Sequence, residues 1–172
     1  MHPVTNDYGS TSAAYDVGLL LLRVVLGLAM AAHGAQKLFG WFGGPGLTTT
    51  GEFFSASGYP AGHVMAVVAA LSETLGGLGL AVGLVTPLAA AAVVGVMINA
   101  IAFKWGGGFF GPEGIECELL IVAAAASLAL TGPGRLAVDH FLPVLRRHRL
   151  VYGLAALALA VVVAVIVLLL RE

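Results

Sequence analysis

The chain has 172 residues, 59% apolar and 10% charged, and its 8 Lys and Arg against 9 Asp and Glu give a formal net charge of −1. Soluble domains carry about a quarter charged residues, so this composition excludes a water-soluble monomer; with no basic run beyond Arg146-Arg147-His148-Arg149, it also excludes a nucleic-acid platform. Cys117 is the only cysteine, which rules out an internal disulfide, a dithiol and a cysteine-only metal site, so any redox chemistry requires a bound small molecule.

Residues 1–16 are polar and read as a flexible tail, with Asp16 placed to cap the run that follows. Val17 to Phe39 supplies about 23 mostly apolar residues, enough for a hydrocarbon core of about 30 Å at 1.5 Å per residue. The rival reading is a cleaved signal peptide with Arg23 as its basic region; the apolar stretch Val24 to Leu28 is short for that role. Gly40 to Gly62, with Gly43-Gly44-Pro45-Gly46 and the rings of Trp41, Phe42, Phe53, Phe54 and Tyr59, reads as an interfacial loop.

His63 to Leu84 is the second predicted span, with Gly76, Gly77, Gly79 and Gly83 forming a small-residue face for close packing. Thr86-Pro87 is a helix-start signal, threonine as N-cap and proline in the first turn, so Leu88 to Trp105 returns antiparallel. After Gly106-Gly107-Gly108 a fourth span runs from about Ile115 to Thr131 and stops at the breaker Gly132-Pro133-Gly134. Val151 to Leu170 is free of charge and makes a fifth span, read as an anchor or a surface for a partner helix. The fold class is therefore an all-α membrane protein: a tail (1–16), an antiparallel four-helix core (17–139), a basic loop (140–150) and a fifth transmembrane helix (151–172). Cytoplasmic loops are enriched in Lys and Arg. The arginines at 135, 146, 147 and 149 therefore place the N-terminus and this loop in the cytoplasm of a plasma-membrane protein, with the C-terminus outside.

An ionised side chain at the centre of a span costs about 2.5 to 3.5 kcal/mol on insertion scales, so each polar residue there demands a partner or a purpose. Arg23, Met30 and Lys37 recur every seven residues, with His33 four before Lys37, and share one face of the first span. Counting at 1.5 Å per residue puts Glu73 near the midplane and His33, Gln36, Asn99 and Glu116 in the outer half, below Lys37. Burial together in one outer pocket is the economical solution, with Glu73 and His33 exchanging protons and Gln36, Lys37, Asn99 and Glu116 binding a ligand. Alternatively the charges are structural: Arg23 with Glu73, as the only two of comparable depth, or Lys37 with Glu116. No second histidine lies inside a span beside His33, and the sole possible complement is His63 at the outer boundary, which argues against a metal or a two-histidine haem. The loops Gly40 to Gly62 and Gly106 to Gly114 are expected to cover the pocket.

Three segments carry a resemblance: H-G-A-Q-K-L-F-G-W-F-G-G-P-G from His33, E-T-L-G-G from Glu73 and G-F-F-G-P-E-G from Gly108. Together with G-P-G-R-L-A-V-D ending at Asp139, they resemble the DoxX family over about Leu19 to Asp139. The resemblance implies a four-helix bacterial or archaeal membrane core, related to subunits of quinone-linked thiosulfate oxidoreductases and of redox-stress complexes. Glu116 fits the family pattern and Glu118 departs from it. A redox-complex subunit binding a quinone headgroup, a non-catalytic assembly subunit and a small-molecule conduit are the functions in competition. Expected partners are the lipid bilayer, other membrane redox proteins and a second copy of the chain.

Overall fold

The computed structural model describes residues 8–145 and 148–171, and among these all regular structure is helical. The long helices are α1 (Tyr8–Phe39), α3 (Gly62–Val82), α4 (Thr86–Lys104), α5 (Glu116–Thr131) and α7 (Leu150–Leu169); α2 (Gly46–Ala56) and α6 (Val138–Phe141) are short. Four segments are long and apolar enough to cross a membrane: Ser12–Phe39, Gly62–Val82, Thr86–Gly107 and Leu150–Leu169. At 16 residues, α5 is about 24 Å long at the standard rise and lies beside α4.

Two of the expected boundaries move. The first helix begins at Tyr8, ahead of Val17, so the expected tail shrinks to residues outside those described. Asp16 sits inside the helix, and its carboxylate accepts from the main-chain N–H of Arg135 (2.9 Å) and from Arg135 Nε (2.7 Å). The segment 40–62 is not a plain loop: a 3-10 turn at Trp41–Gly43 leads into α2, whose buried face holds Thr50 and Gly51. The Arg146-Arg147 pair lies outside the described residues.

α1 and α3 pack antiparallel with their backbones in contact, and the cause is small residues on both. A methyl group at Gly77 would stand 2.5 Å from Ala31 N, and one at Gly27 would stand 2.5 Å from Ala81 N. At Gly34 it would stand 2.5 Å from Thr74 N. Without side chains at these sites the helices gain van der Waals contact that a larger residue would prevent. Behind them, Met30 and Leu80 join Ala90, Val93 and Val94 of α4, Ala125, Leu128 and Ala129 of α5, and Ala156 and Ala160 of α7 in one core.

The turn from α3 to α4 and the breaker after α5 meet at one end of the bundle. Gly83 (φ 71) and Val85 (φ 47) take left-handed conformations there, and α6 pairs with the turn through Asp139 N–H donating to Gly83 O (2.9 Å). The Asp139 carboxylate is 3% exposed. It accepts from Val85 N (2.7 Å), Thr86 N (3.0 Å) and Thr86 Oγ1 (2.9 Å), capping α4 from outside the helix. The N-terminal cap of α4 is therefore Val85 assisted by Asp139, and Thr86 donates its hydroxyl instead of accepting with it.

Candidate functional site

Arg23 also belongs to this end. It is 2% exposed; Nη1 donates to Pro133 O (2.9 Å) and Nη2 to Leu136 O, with the Asp139 carboxylate close enough to attract it. The guanidinium thus satisfies the carbonyl groups that the glycine and proline breaker removes from helix pairing. The expected Arg23 to Glu73 bridge is not formed. Seven residues on α1 rise about 10 Å, so Arg23, two heptads before Lys37, is held at the far end of the bundle by Pro133 and Leu136.

Glu73 pairs instead with Lys37, Nζ to Oε2 at 2.5 Å, joining the C-terminal turn of α1 to the middle of α3. The carboxylate side chain is 3% exposed and the lysine 26%, so the lysine reaches in from the rim. A second pair crosses from α4 to α5, Lys104 Nζ to Glu118 Oε1 at 2.7 Å. The alternative pairing of Lys37 with Glu116 is not seen: the carboxylate of α5 that forms an ion pair is Glu118, two residues on, and its partner is Lys104.

Both pairs line a cavity of about 880 Å³ between α1, α3, α4, α5 and α7. His33, Lys37, Glu73 and Asn99 line it as expected; Gln36 and Glu116 do not. Gln36 is turned under the loop at Gly44, where an added methyl group would stand 2.6 Å from Gln36 Cα. Glu116 stands in the first turn of α5, its main-chain N–H bonded to Phe109 O (3.1 Å). Tyr59, Cys117 and Glu118 line the cavity in addition. Tyr59 is missed by reasoning on spans because it lies in the connection after α2, and Cys117 because nothing in the sequence distinguishes the faces of α5's first turn.

The rest of the lining is apolar, from Met30 on α1, Val68 and Ala69 on α3, Leu88 and Ala91 on α4, and Leu159 and Val163 on α7. From Leu88 to Lys104 the cavity follows α4 for about 24 Å at 1.5 Å per residue, with its polar groups gathered at the Lys104 end. Val68 toward the polar end, Leu159 at mid-height on α7 and Leu88 at the far end are each about half exposed, so the cavity has a lateral face between α3, α4 and α7.

The cover over the polar end is α2, through Pro45, Thr49, Thr50, Phe53 and Phe54. The segment 106–114 contributes no lining residue and is not part of the cover. α7 is more than an anchor: Leu159, Ala160, Val163, Ala164 and Val167 form a wall, and beyond its end Arg171 Nε donates to Ser57 O (2.8 Å). The same guanidinium lies over the rings of Tyr59 (5.3 Å) and Phe103 (5.5 Å), a cation–π arrangement that fastens α7 to the connection after α2. Burial pushes the Tyr59 phenol above its ordinary pKa, with Arg171 pulling the other way; it remains a neutral donor, 3.4 Å from Asn99 Oδ1. Among the described residues no three His, Cys, Asp or Glu side chains group as metal ligands.

The DoxX family model matches residues 18–105, slightly more than half of the chain. This chain belongs to the DoxX family. Its similarity extends further to a Bacillus subtilis (strain 168) protein named "Putative oxidoreductase CatD", 35% identical over 132 residues that cover 74% of this chain and 89% of the relative. No solved structure gives a significant match. The family match takes in α1 to α4, hence Lys37, Glu73 and Asn99; Cys117, Glu118 and the α7 wall lie beyond it. The chain is thus a multi-pass membrane protein of the DoxX family.

Proposed function

We propose that this DoxX protein is a subunit of a quinone-linked membrane redox complex and that its cavity binds the quinone. One observation carries the reading: an elongated apolar cavity, open sideways to the bilayer core, ends in a cluster of two ion pairs, a histidine, an asparagine and a tyrosine. An amphiphile with a long apolar body and a compact polar head matches that distribution, and sideways access suits a ligand dissolved in lipid. The oxidoreductase name of the Bacillus relative supports a redox role.

A bound quinone supplies two-electron, two-proton chemistry. The chain's own residues bind and orient it: the ammonium groups of Lys37 and Lys104 retain hydrogens beyond those given to Glu73 and Glu118, and can donate to a carbonyl. Tyr59 O–H supplies a neutral donor from the rim. His33 and Glu73 are the groups able to hold or release a proton near the head.

In this reading α5 is a fifth crossing, short but accompanied along its length by α4, with the N-terminus and the arginine-rich segment before α7 in the cytoplasm of a plasma-membrane protein. The competing reading is a non-catalytic assembly subunit. It draws on the same two pairs, since Lys37 and Glu73 neutralise each other without any ligand.

The test is equilibrium titration of a decyl-chain benzoquinone into the protein in phospholipid nanodiscs, with empty nanodiscs as blank. Saturable binding at one site per chain is expected, weakened at least tenfold by Val163→Trp, which narrows the cavity. Uptake no greater than that of empty nanodiscs would leave the assembly reading in possession.

A further inference from the structure

Glu118 carries an atom that neither the fold nor the proposed binding of a carbonyl explains. Oε1 takes Lys104, whereas Oε2 is buried without a hydrogen-bond partner among the described residues. The side chain as a whole is 12% exposed and lines the cavity. Besides Lys104, the His33 ring of α1 is near enough to interact with this carboxylate; its own main-chain N–H is close as well but does not meet hydrogen-bond geometry with Oε2. A buried acceptor left unpaired forfeits the hydrogen bonds it had in water, so this oxygen is complemented by a ligand that brings a donor.

The two redox forms of a quinone differ in that respect. The oxidised head presents carbonyl oxygens, which only accept; the reduced head presents hydroxyl groups, which also donate. Opposite Glu118 Oε2 a carbonyl sets one acceptor against another, whereas a hydroxyl makes a charge-assisted hydrogen bond of the stronger class. Lys37 and Lys104 can donate to the oxygen of either form, so they do not discriminate.

Resting on the reading of the cavity as a quinone site, we infer that Glu118 is a specificity-determining residue: through Oε2 it accepts from a hydroxyl of the bound head and makes the site prefer the reduced, dihydroxy form. Hydrogen bonds to charged groups are worth enough to give a preference of about tenfold to a hundredfold.

The experiment is parallel titration, under nitrogen, of decyl-benzoquinone and its hydroquinone into wild type, Glu118→Gln and the doubly neutral Lys104→Gln/Glu118→Gln protein in nanodiscs. Wild type is expected to bind the hydroquinone at least tenfold more tightly. Glu118→Gln, whose amide can also donate to a carbonyl, should bring the two forms within about twofold. The double variant keeps both side-chain lengths without leaving an unpaired lysine and should behave alike; if either protein is not monodisperse, Glu118→Asp, which withdraws the acceptor by one methylene, decides. Equal affinity of wild type for both forms, or a preference that survives these substitutions, overturns the inference while leaving the site intact. Failure of wild type to bind either form instead removes the site reading itself.

Discussion

Lys37 and Glu73 are buried to different degrees, 26% and 3% of their side chains exposed, and the asymmetry makes their single substitutions unequal. Lys37→Met strands a carboxylate inside the bundle and is expected to cost about 3 to 5 kcal/mol. Glu73→Gln leaves a lysine that can turn to the rim and should cost about 1 kcal/mol or less. Thermal unfolding in detergent checks the order, and the double variant should recover most of the Lys37→Met loss. Equal losses would mean that the pair is not buried as described. At the opposite end, Arg23→Met leaves the Pro133 and Leu136 carbonyl groups without their donor, and Asp139→Ala uncaps α4. Each should cost about 2 to 4 kcal/mol while quinone titration of the folded fraction stays unchanged. The seven-residue recurrence of Arg23, Met30 and Lys37 was readable as a shared face, but sharing a face does not make residues neighbours. Two heptads separate Arg23 from Lys37 along the helix axis, and the carbonyl partners that claim Arg23 come from a segment more than a hundred residues away.

Among the elements, α1 and α3 rely on Gly27, Gly34 and Gly77, where an added Cβ would press against backbone that has no freedom to yield. Gly77→Val should therefore lower stability by about 3 kcal/mol or more, at the upper end of overpacking effects. Gly18, with open space around it, tolerates alanine at little cost; detergent melting of the two variants compares them directly. α7 contributes a wall of the cavity and a fastening at Arg171. Arg171→Ala removes a hydrogen bond and a cation–π contact, so ligand exchange in nanodiscs, followed by stopped flow, should become several-fold faster with little change in melting temperature. Unaltered exchange would show that α7 does not control access. The charge-free sequence of α7 identified a span and concealed this role, because a cavity wall for an apolar ligand and a lipid-facing surface demand the same side chains.

For the molecule as a whole, the segment after α5 joins the N-terminal half of α1 through Arg135 and Asp16, while Lys37, Lys104 and Arg171 stand at the other end of the bundle. The arginine-rich side should face the cytoplasm. In a Cys117→Ser background, a cysteine introduced at position 145 should stay unlabelled by an impermeant maleimide in intact cells, whereas one at position 42 should react. Labelling of position 145 from outside reverses the orientation and places the polar end of the cavity toward the cytoplasm.

Composition and the lengths of the apolar runs, acting through the cost of unpaired polar groups in hydrocarbon, were enough to determine an all-helical membrane protein and to locate its long helices within a few residues, except for the start of α1, which lies at Tyr8 and not at Val17. The scarcity of polar side chains within those runs singled out Lys37, Glu73, His33 and Asn99, which do meet in one cavity. Tertiary structure alone decided which charges pair, because pairing depends on the stagger of helices, and that stagger is set by backbone contacts at glycines and by caps such as Asp139 that are distant in sequence. It also decided that Gln36 and Glu116 turn away while Cys117, Glu118 and Tyr59 turn in. Rotation of a helix whose residues are apolar nearly all round leaves little periodic trace in its sequence, and only its neighbours fix which side faces the cavity.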